Sequence, residues 1–276
     1  LKTHSKTMLV VRREAGSLRR YVHIGTGNYN PKTARIYTDI GLLTCQAELG
    51  QDATDLFNVL TGLSRQHAFR RLLVAPTFLR SRFLALVERE IGHAAAGKPA
   101  GIILKMNTLV DRECVDALYR ASAAGVEIAL VIRGACALVP GVDGQSERIR
   151  VRSIIGEFLE HSRIWRFEND GAPEWYIGSA DLMARNLDRR IEAFTPILDP
   201  TLQAELDVIL ATMRIDDRRA WTLGADGRWT RVDRDGRVSA VNDTHASLRA
   251  RAARAAAPNP RRPTRPGGAA SLEPWA

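Results

Sequence analysis

Two of the six histidines in the sequence sit in matching surroundings. His4-Ser5-Lys6 is followed by Gly25-Thr26-Gly27-Asn28, and His161-Ser162-Arg163 is followed by Gly178-Ser179-Ala180-Asp181. Each copy is a histidine, a cation two residues on, and then a turn of the form Gly-Thr/Ser-x-Asn/Asp. On an extended strand, residues two apart share a face, which puts His4 with Lys6 and His161 with Arg163. That pairing suits phosphoryl chemistry: the imidazole serves as nucleophile or acid, and the fixed charge holds phosphate oxygens. The turns add backbone N–H and hydroxyl donors for the same anion. A lone histidine on a strand is ordinarily a packing or surface residue, and His23, His67, His93 and His245 are read that way. For His4 and His161 the repeated context reverses the reading.

The elements that must position these residues show in the periodicity. Thr7 to Val11 and Tyr21 to Ile24 are strand candidates, Gly25 to Asn28 is a loop, and Asn30-Pro31 reads as a cap and first helical position. The pattern resets between Ala68 and Pro76, where a domain boundary is placed. Ser81 to Ala96 then carries helical spacing through Phe83, Leu84, Val87 and Ile91. The clearest unit follows: strand Gly101 to Met106, helix Val110 to Ala124 stopped by Gly125, and strand Val126 to Ile132. A crossover helix between two apolar strands predicts a parallel pair. Arg133 falls at the carboxyl end of its second strand, where open α/β sheets bind ligands. Beyond Trp221, Asp226-Gly227 and Asp235-Gly236 mark hairpin turns. Thr244 to Ala257 reads as an Ala/Arg helix, and the Pro-, Arg- and Gly-rich stretch from Pro258 as disordered. Gly25 to Thr33 is not a Walker A loop, because Pro31 stands where a glycine must precede Lys32-Thr33.

The hydrophobic fraction of 45% is that of a globular chain, while a net charge of +9 and a pI near 10.0 point to an anionic partner. Cys45, Cys114 and Cys136 show no C-x-x-C spacing, which argues against a disulfide framework or zinc site and fits a reducing cytoplasm. No apolar run is long enough for a membrane helix. Leu1 in place of Met, leading straight into a strand, is read as the start of a fragment.

The paired motif resembles the phospholipase D superfamily, in which two such halves bring their histidines to one site. Over Leu1 to Thr230 the sequence looks more narrowly like the bacterial polyphosphate kinases. That resemblance is carried by Thr3 to Lys6, His23 to Asn30, Lys32 to Asp39, Val131 to Gly134, Leu159 to Arg163 and Arg185-Asn186. The acid that phospholipases place five residues after the basic position is Val11 in the first copy and Glu168 in the second, and the second basic residue is Arg163 instead of lysine. Both departures favour the kinase.

The resemblance implies two phospholipase D-like α/β sandwich layers, the first truncated. Residues 1–70 would be the C-terminal part of the first, 71–219 the second, 220–257 a small hairpin and helix extension, and 258–276 a disordered basic tail. It implies reversible transfer of the ATP γ-phosphoryl group to inorganic polyphosphate through a phosphohistidine at His4. Tyr37, Arg133 and His161 would contact the nucleotide phosphates, with Lys6 and Arg163 supplying charge and His161 acting as acid/base or phosphate ligand. Mg2+ is implied, its matching arginines lying upstream of Leu1. ATP/ADP and polyphosphate are the implied partners, in a homo-oligomer with no nucleic acid, cytoplasmic and at most peripheral to the inner membrane. The alternatives are a phospholipase D-type phosphodiesterase or phosphatidyltransferase, and an inactive polyanion-binding remnant.

Overall fold

The structure is a computed structural model that describes residues 1–64, 68–232 and 241–256. The first third of the chain runs β1 (Lys2–Thr3), β2 (Lys6–Glu14), β3 (Ser17–Gly25), β4 (Tyr37–Thr38), β5 (Gly41–Thr44) and α1 (Ala47–Leu60). The middle runs β6 (Leu73–Ala75), α2 (Leu79–Ala95), β7 (Gly101–Met106), α3 (Arg112–Ala123), β8 (Glu127–Ile132), β9 (Ile149–Ile154), β10 (Leu159–Glu160) and β11 (Ile164–Phe167). The last part runs β12 (Glu174–Gly178), α4 (Ala184–Arg189), β13 (Arg190–Pro196), α5 (Pro200–Ile215), β14 (Ala220–Leu223), β15 (Trp229–Arg231) and α6 (Thr244–Ala256).

A mixed sheet in the order β1-β13-β12-β11-β7-β8-β9-β14-β15, with β6 also on β13, forms the frame of this α/β fold. The expected βαβ unit is its centre: β7 and β8 are parallel, with Met106 opposite Ile132, and β9 continues in parallel. Helix α3 is two residues shorter at its start than its periodicity predicts, because the Val110 and Asp111 amides bond Leu182 instead of starting the helix. Asp111 then caps it, accepting from the Cys114 amide at 3.2 Å. Gly125, at φ +97°, supplies the left-handed residue that ends the turn. Asn30-Pro31 starts no α-helix. The Asn30 side chain closes a turn onto the Lys32 and Thr33 amides, and only a single 3₁₀ turn, Thr33–Arg35, follows.

Helices α2 and α3 cover one face of the sheet around Phe83, Leu104, Trp165 and Phe194, where the Trp165 and Phe194 rings stack at 3.9 Å. Helix α5 covers part of the other face through Leu206 and Leu210. Each such buried apolar side chain contributes about 1.5–3 kcal/mol, enough in sum to hold the sheet rigid beneath a site. A second, three-stranded sheet, β2-β3-β5, packs on α1 through Val22, Ile24, Leu49 and Leu56. Asp52 of α1 locks this unit to the frame: fully buried, its carboxylate accepts from the amides of Arg70, Arg71 and Leu72, just before β6. The hairpin expected at Asp226-Gly227 forms as β14 and β15 and extends the main sheet at β9, with Gly227 at φ +75°. His67, the Asp235-Gly236 turn and the tail from residue 258 lie outside the described residues. Among those residues no helix is long and apolar enough to cross a membrane.

Candidate functional site

The two histidine motifs do not lie within strands, as the alternation argument expects. Each sits at a break where the chain passes from one sheet to another: His4 between β1 and β2, His161 between β10 and β11. The reason is in the pairing. Strand β1 runs parallel to the start of β13, with Lys2 opposite Arg190 and Thr3 opposite Ile191, which brings His4 beside Glu192. Strand β10 runs parallel to β4, with Leu159 opposite Tyr37 and Glu160 opposite Thr38, which brings His161 beside Asp39. Each histidine is thus delivered to a carboxylate from the other half of the chain.

The contacts follow that register. His4 Nδ1 lies 2.9 Å from Glu192 Oε2, and His161 Nδ1 lies 2.7 Å from Asp39 Oδ1. The turns expected to donate to a ligand hold the carboxylates instead: Ser179 Oγ donates to Glu192 at 2.5 Å and Thr26 Oγ1 to Asp39 at 3.0 Å. Each acid stands 13 residues after its hydroxyl, so the repeat extends further than the motif that announced it. Burial works against the Asp39 carboxylate, but its bonds to His161 and Thr26 outweigh this and hold it below its ordinary range. A carboxylate on Nδ1 fixes the tautomer of each ring, with the proton on Nδ1 and the lone pair on Nε2.

The two Nε2 atoms then differ. His161 Nε2 accepts from Arg163 Nη1 at 3.1 Å, and burial, with Asp39 opposing and Arg163 assisting, lowers the pKa of this ring. For His4 Nε2 no protein partner is found among the described residues. Arg163 is itself fixed by a bidentate pair with Asp181, Nε to Oδ1 at 3.3 Å and Nη2 to Oδ2 at 3.1 Å. Asp181 takes the Asn107 and Thr108 amides as well. Against the upward push of burial, Arg163 and these bonds hold its carboxyl below its usual range.

A cavity of about 280 Å³ joins His4, Tyr37, Arg133, His161 and Arg163, so five of the six expected site residues line one space. The Tyr37 ring packs on His161 at 4.8 Å. Arg133 is at the carboxyl end of β8, as its position predicts, with Nη1 donating to the Glu160 carbonyl at 3.1 Å. The sixth residue, Lys6, opens with His4 onto an adjoining space of about 410 Å³ and donates to the His4 carbonyl. Burial lowers its pKa to about 8. Sequence reasoning gave no site role to Glu192, Asp39 or Arg190, which borders both spaces, and read Asp181 only as the end of the second turn. The extended repeat could have disclosed the first two. Mg2+ finds no protein cage: among the described residues no group of three or more His, Cys, Asp or Glu could hold a metal. The site carboxylates are already engaged by histidines and an arginine, so the donor set does not fit a resident ion.

An α/β chain whose halves each lend a histidine, a cation and, across the seam, a carboxylate defines a class of duplicated proteins with one shared histidine site. Comparison with known families narrows it. The family model for polyphosphate kinase C-terminal domain 1 matches residues 1–66, and that for polyphosphate kinase C-terminal domain 2 matches residues 72–242. The chain belongs to the polyphosphate kinase family. It is 59% identical over 251 residues to the polyphosphate kinase of Thermosynechococcus vestitus, covering 91% of this chain and 34% of that one. It is 55% identical over 238 residues to that of Streptomyces coelicolor, covering 86% and 32%. The crystal structure of the Porphyromonas gingivalis polyphosphate kinase superposes with a TM-score of 0.85 at 39% identity, over 92% of this chain and 39% of that one. The chain spans about a third of the length of the curated relatives it matches.

Proposed function

We propose that these residues form the phosphoryl-transfer core of a polyphosphate kinase. His4 Nε2 attacks the γ-phosphorus of ATP in line, the bond to the β–γ bridging oxygen breaks, and ADP leaves with that electron pair. The phosphohistidine then passes its phosphoryl group to the terminal oxygen of polyphosphate, and each step runs in both directions. One observation carries the reading: a buried carboxylate holds His4 Nδ1, which leaves Nε2 as the free lone pair in a residue lining an arginine-rich cavity. As Nε2 bonds to phosphorus the ring becomes cationic, and Glu192 is already placed to stabilise that charge. Arg133 and Arg163 supply charge to the phosphate oxygens, and Tyr37 lines the same space.

His161 is the proton-exchanging partner. Its lowered pKa keeps it neutral until a phosphate oxygen beside it offsets the cost of burial. Mg2+, which the resemblance implies, would reach this cavity with ligands from outside these residues. The reading includes a longer, cytoplasmic, homo-oligomeric protein with ATP, ADP and polyphosphate as its partners.

The test uses the chain within its full-length gene product and γ-labelled ATP. Label should appear on protein, labile in acid and stable in base, and should be absent from His4→Ala. Label persisting in His4→Ala would remove the nucleophile assignment, and hydrolysis of a phosphodiester without any labelling would favour the phospholipase D-type alternative.

A further inference from the structure

Beneath the cavity lies a cluster of buried charge that the chemistry above does not use. Glu160, Lys105 and His245 are each almost fully buried. Glu160 Oε2 accepts from Lys105 Nζ and Thr38 Oγ1, both at 2.9 Å, and Oε1 lies 2.9 Å from His245 Nε2. Burial pushes this carboxyl up, yet Lys105, His245 and Thr38 together hold it down at about 2. The main chain of the same residue reaches the site directly. Its carbonyl accepts from Arg133, its strand pairs with Thr38 between Tyr37 and Asp39, and the next residue is His161.

His245 enters from the C-terminal helix α6, whose start is tied down by Asp216 Oδ2 accepting from the Thr244 amide at 2.7 Å. Its Nδ1 accepts from the Phe158 amide at 3.3 Å. The ring must therefore carry its proton on Nε2 and donate it to Glu160. A neutral group with a donor at one edge and an acceptor at the other is what this position needs. Lys105 already neutralises Glu160, and a second buried cation would stand uncompensated.

We propose that His245 is a positioning residue for the phosphate-binding wall of the cavity. By closing the third side of the Glu160 carboxylate it fixes the carbonyl on which Arg133 rests and the strand that leads into His161, and so makes helix α6 part of the catalytic apparatus. The inference rests on the polyphosphate kinase reading. It also makes a claim that needs no turnover, namely that His245 sets the environment of the His161 ring.

The experiment takes the full-length protein with His245→Ala, His245→Asn and His245→Gln, alone and combined with Arg133→Ala. Thermal melting checks that each variant is folded. Asparagine keeps an amide but is too short to reach both partners, and it stands in if the alanine variant fails to fold. His245→Ala or Asn should raise KM for ATP about tenfold, the loss of one charge-assisted phosphate contact, with a smaller change in kcat. His245→Gln, which can donate and accept at once, should restore KM to within about threefold. In the Arg133→Ala background the alanine or asparagine change should add little, because the misplaced group is already gone.

Wild-type KM in the folded asparagine variant, or losses that simply multiply with Arg133→Ala, would overturn the proposal. If the wild-type protein itself forms no phosphohistidine, the functional reading fails instead. The ¹⁵N shifts of the His161 ring then decide the positioning claim separately: they should move in His245→Asn and return in His245→Gln, and unchanged shifts would overturn it.

Discussion

Replacing Glu192 with glutamine isolates the charge of a buried carboxylate from its shape. Glu192 Oε2 is bonded to His4 and Ser179, while Oε1 is buried with no partner among the described residues. The glutamine amide nitrogen therefore settles at the Oε1 position, where it displaces no bond, and its oxygen keeps accepting from both neighbours. The His4 tautomer is unchanged and only the negative charge is lost. A hydrogen bond to a charged group is worth about 1.5–3 kcal/mol against about 1 for a neutral one, a difference of about 0.5–2 kcal/mol. Because the ring gains positive charge as Nε2 bonds phosphorus, that difference falls on the transition state and slows phosphorylation by about 2- to 30-fold. The assay is single-turnover labelling of the full-length protein with γ-labelled ATP, read as a rate with binding saturated. Glu192→Ala should be slower still, since the ring then loses its orientation as well. Labelling of Glu192→Gln at the wild-type rate would refute the reasoning, because the carboxylate would then be only a spacer.

Two further predictions concern stability. Glu160 is held at about 2 in the fold against an ordinary 4.5, so the unfolded chain binds the extra proton between those values. Its contribution of about 3 kcal/mol is full above pH 4.5 and is lost as pH falls toward 2. Urea titrations across that window should show the slope in the wild type and a flatter one in Glu160→Gln, and parallel slopes would contradict the buried ion pair. Asp52→Ala strands the three backbone amides it serves, each left unsatisfied at about 1–3 kcal/mol. Its unfolding free energy, read from urea titration, should drop by at least about 3 kcal/mol, and a change within error would mean that water replaces the carboxylate.

The parts of this molecule that were legible in sequence are those with a local period. The βαβ unit shows in apolar runs of strand length around a helical stripe, and its strand end placed Arg133 without any comparison. The breaks at His4 and His161 leave no such trace. A two-residue strand has no alternation to detect, and its partner lies 122 or 188 residues away along the chain. The alternation argument therefore put Lys6 on the face of His4, whereas the chain bends there and the lysine reaches back to the His4 carbonyl. His245 was illegible for a related reason: its role depends on a carboxylate 85 residues upstream and on an amide beside it, neither marked by any motif.

The crossing of the two halves explains why the repeated part of each motif is not sufficient for a site. Thr26 and Ser179 each organise a carboxylate in their own half, but that carboxylate orients the histidine of the other. Neither half therefore contains a complete histidine–acid pair, and neither ring has a fixed tautomer until β1 has paired with β13 and β10 with β4. The two short parallel pairings thus serve the proposed chemistry as much as stability. They bring together groups that, apart, would be two exposed imidazoles with no preferred nucleophilic nitrogen. The same logic accounts for the difference between the rings. With a carboxylate on both Nδ1 atoms, the asymmetry of the site falls to Nε2, which meets an arginine clamped by Asp181 in one copy and no partner among the described residues in the other.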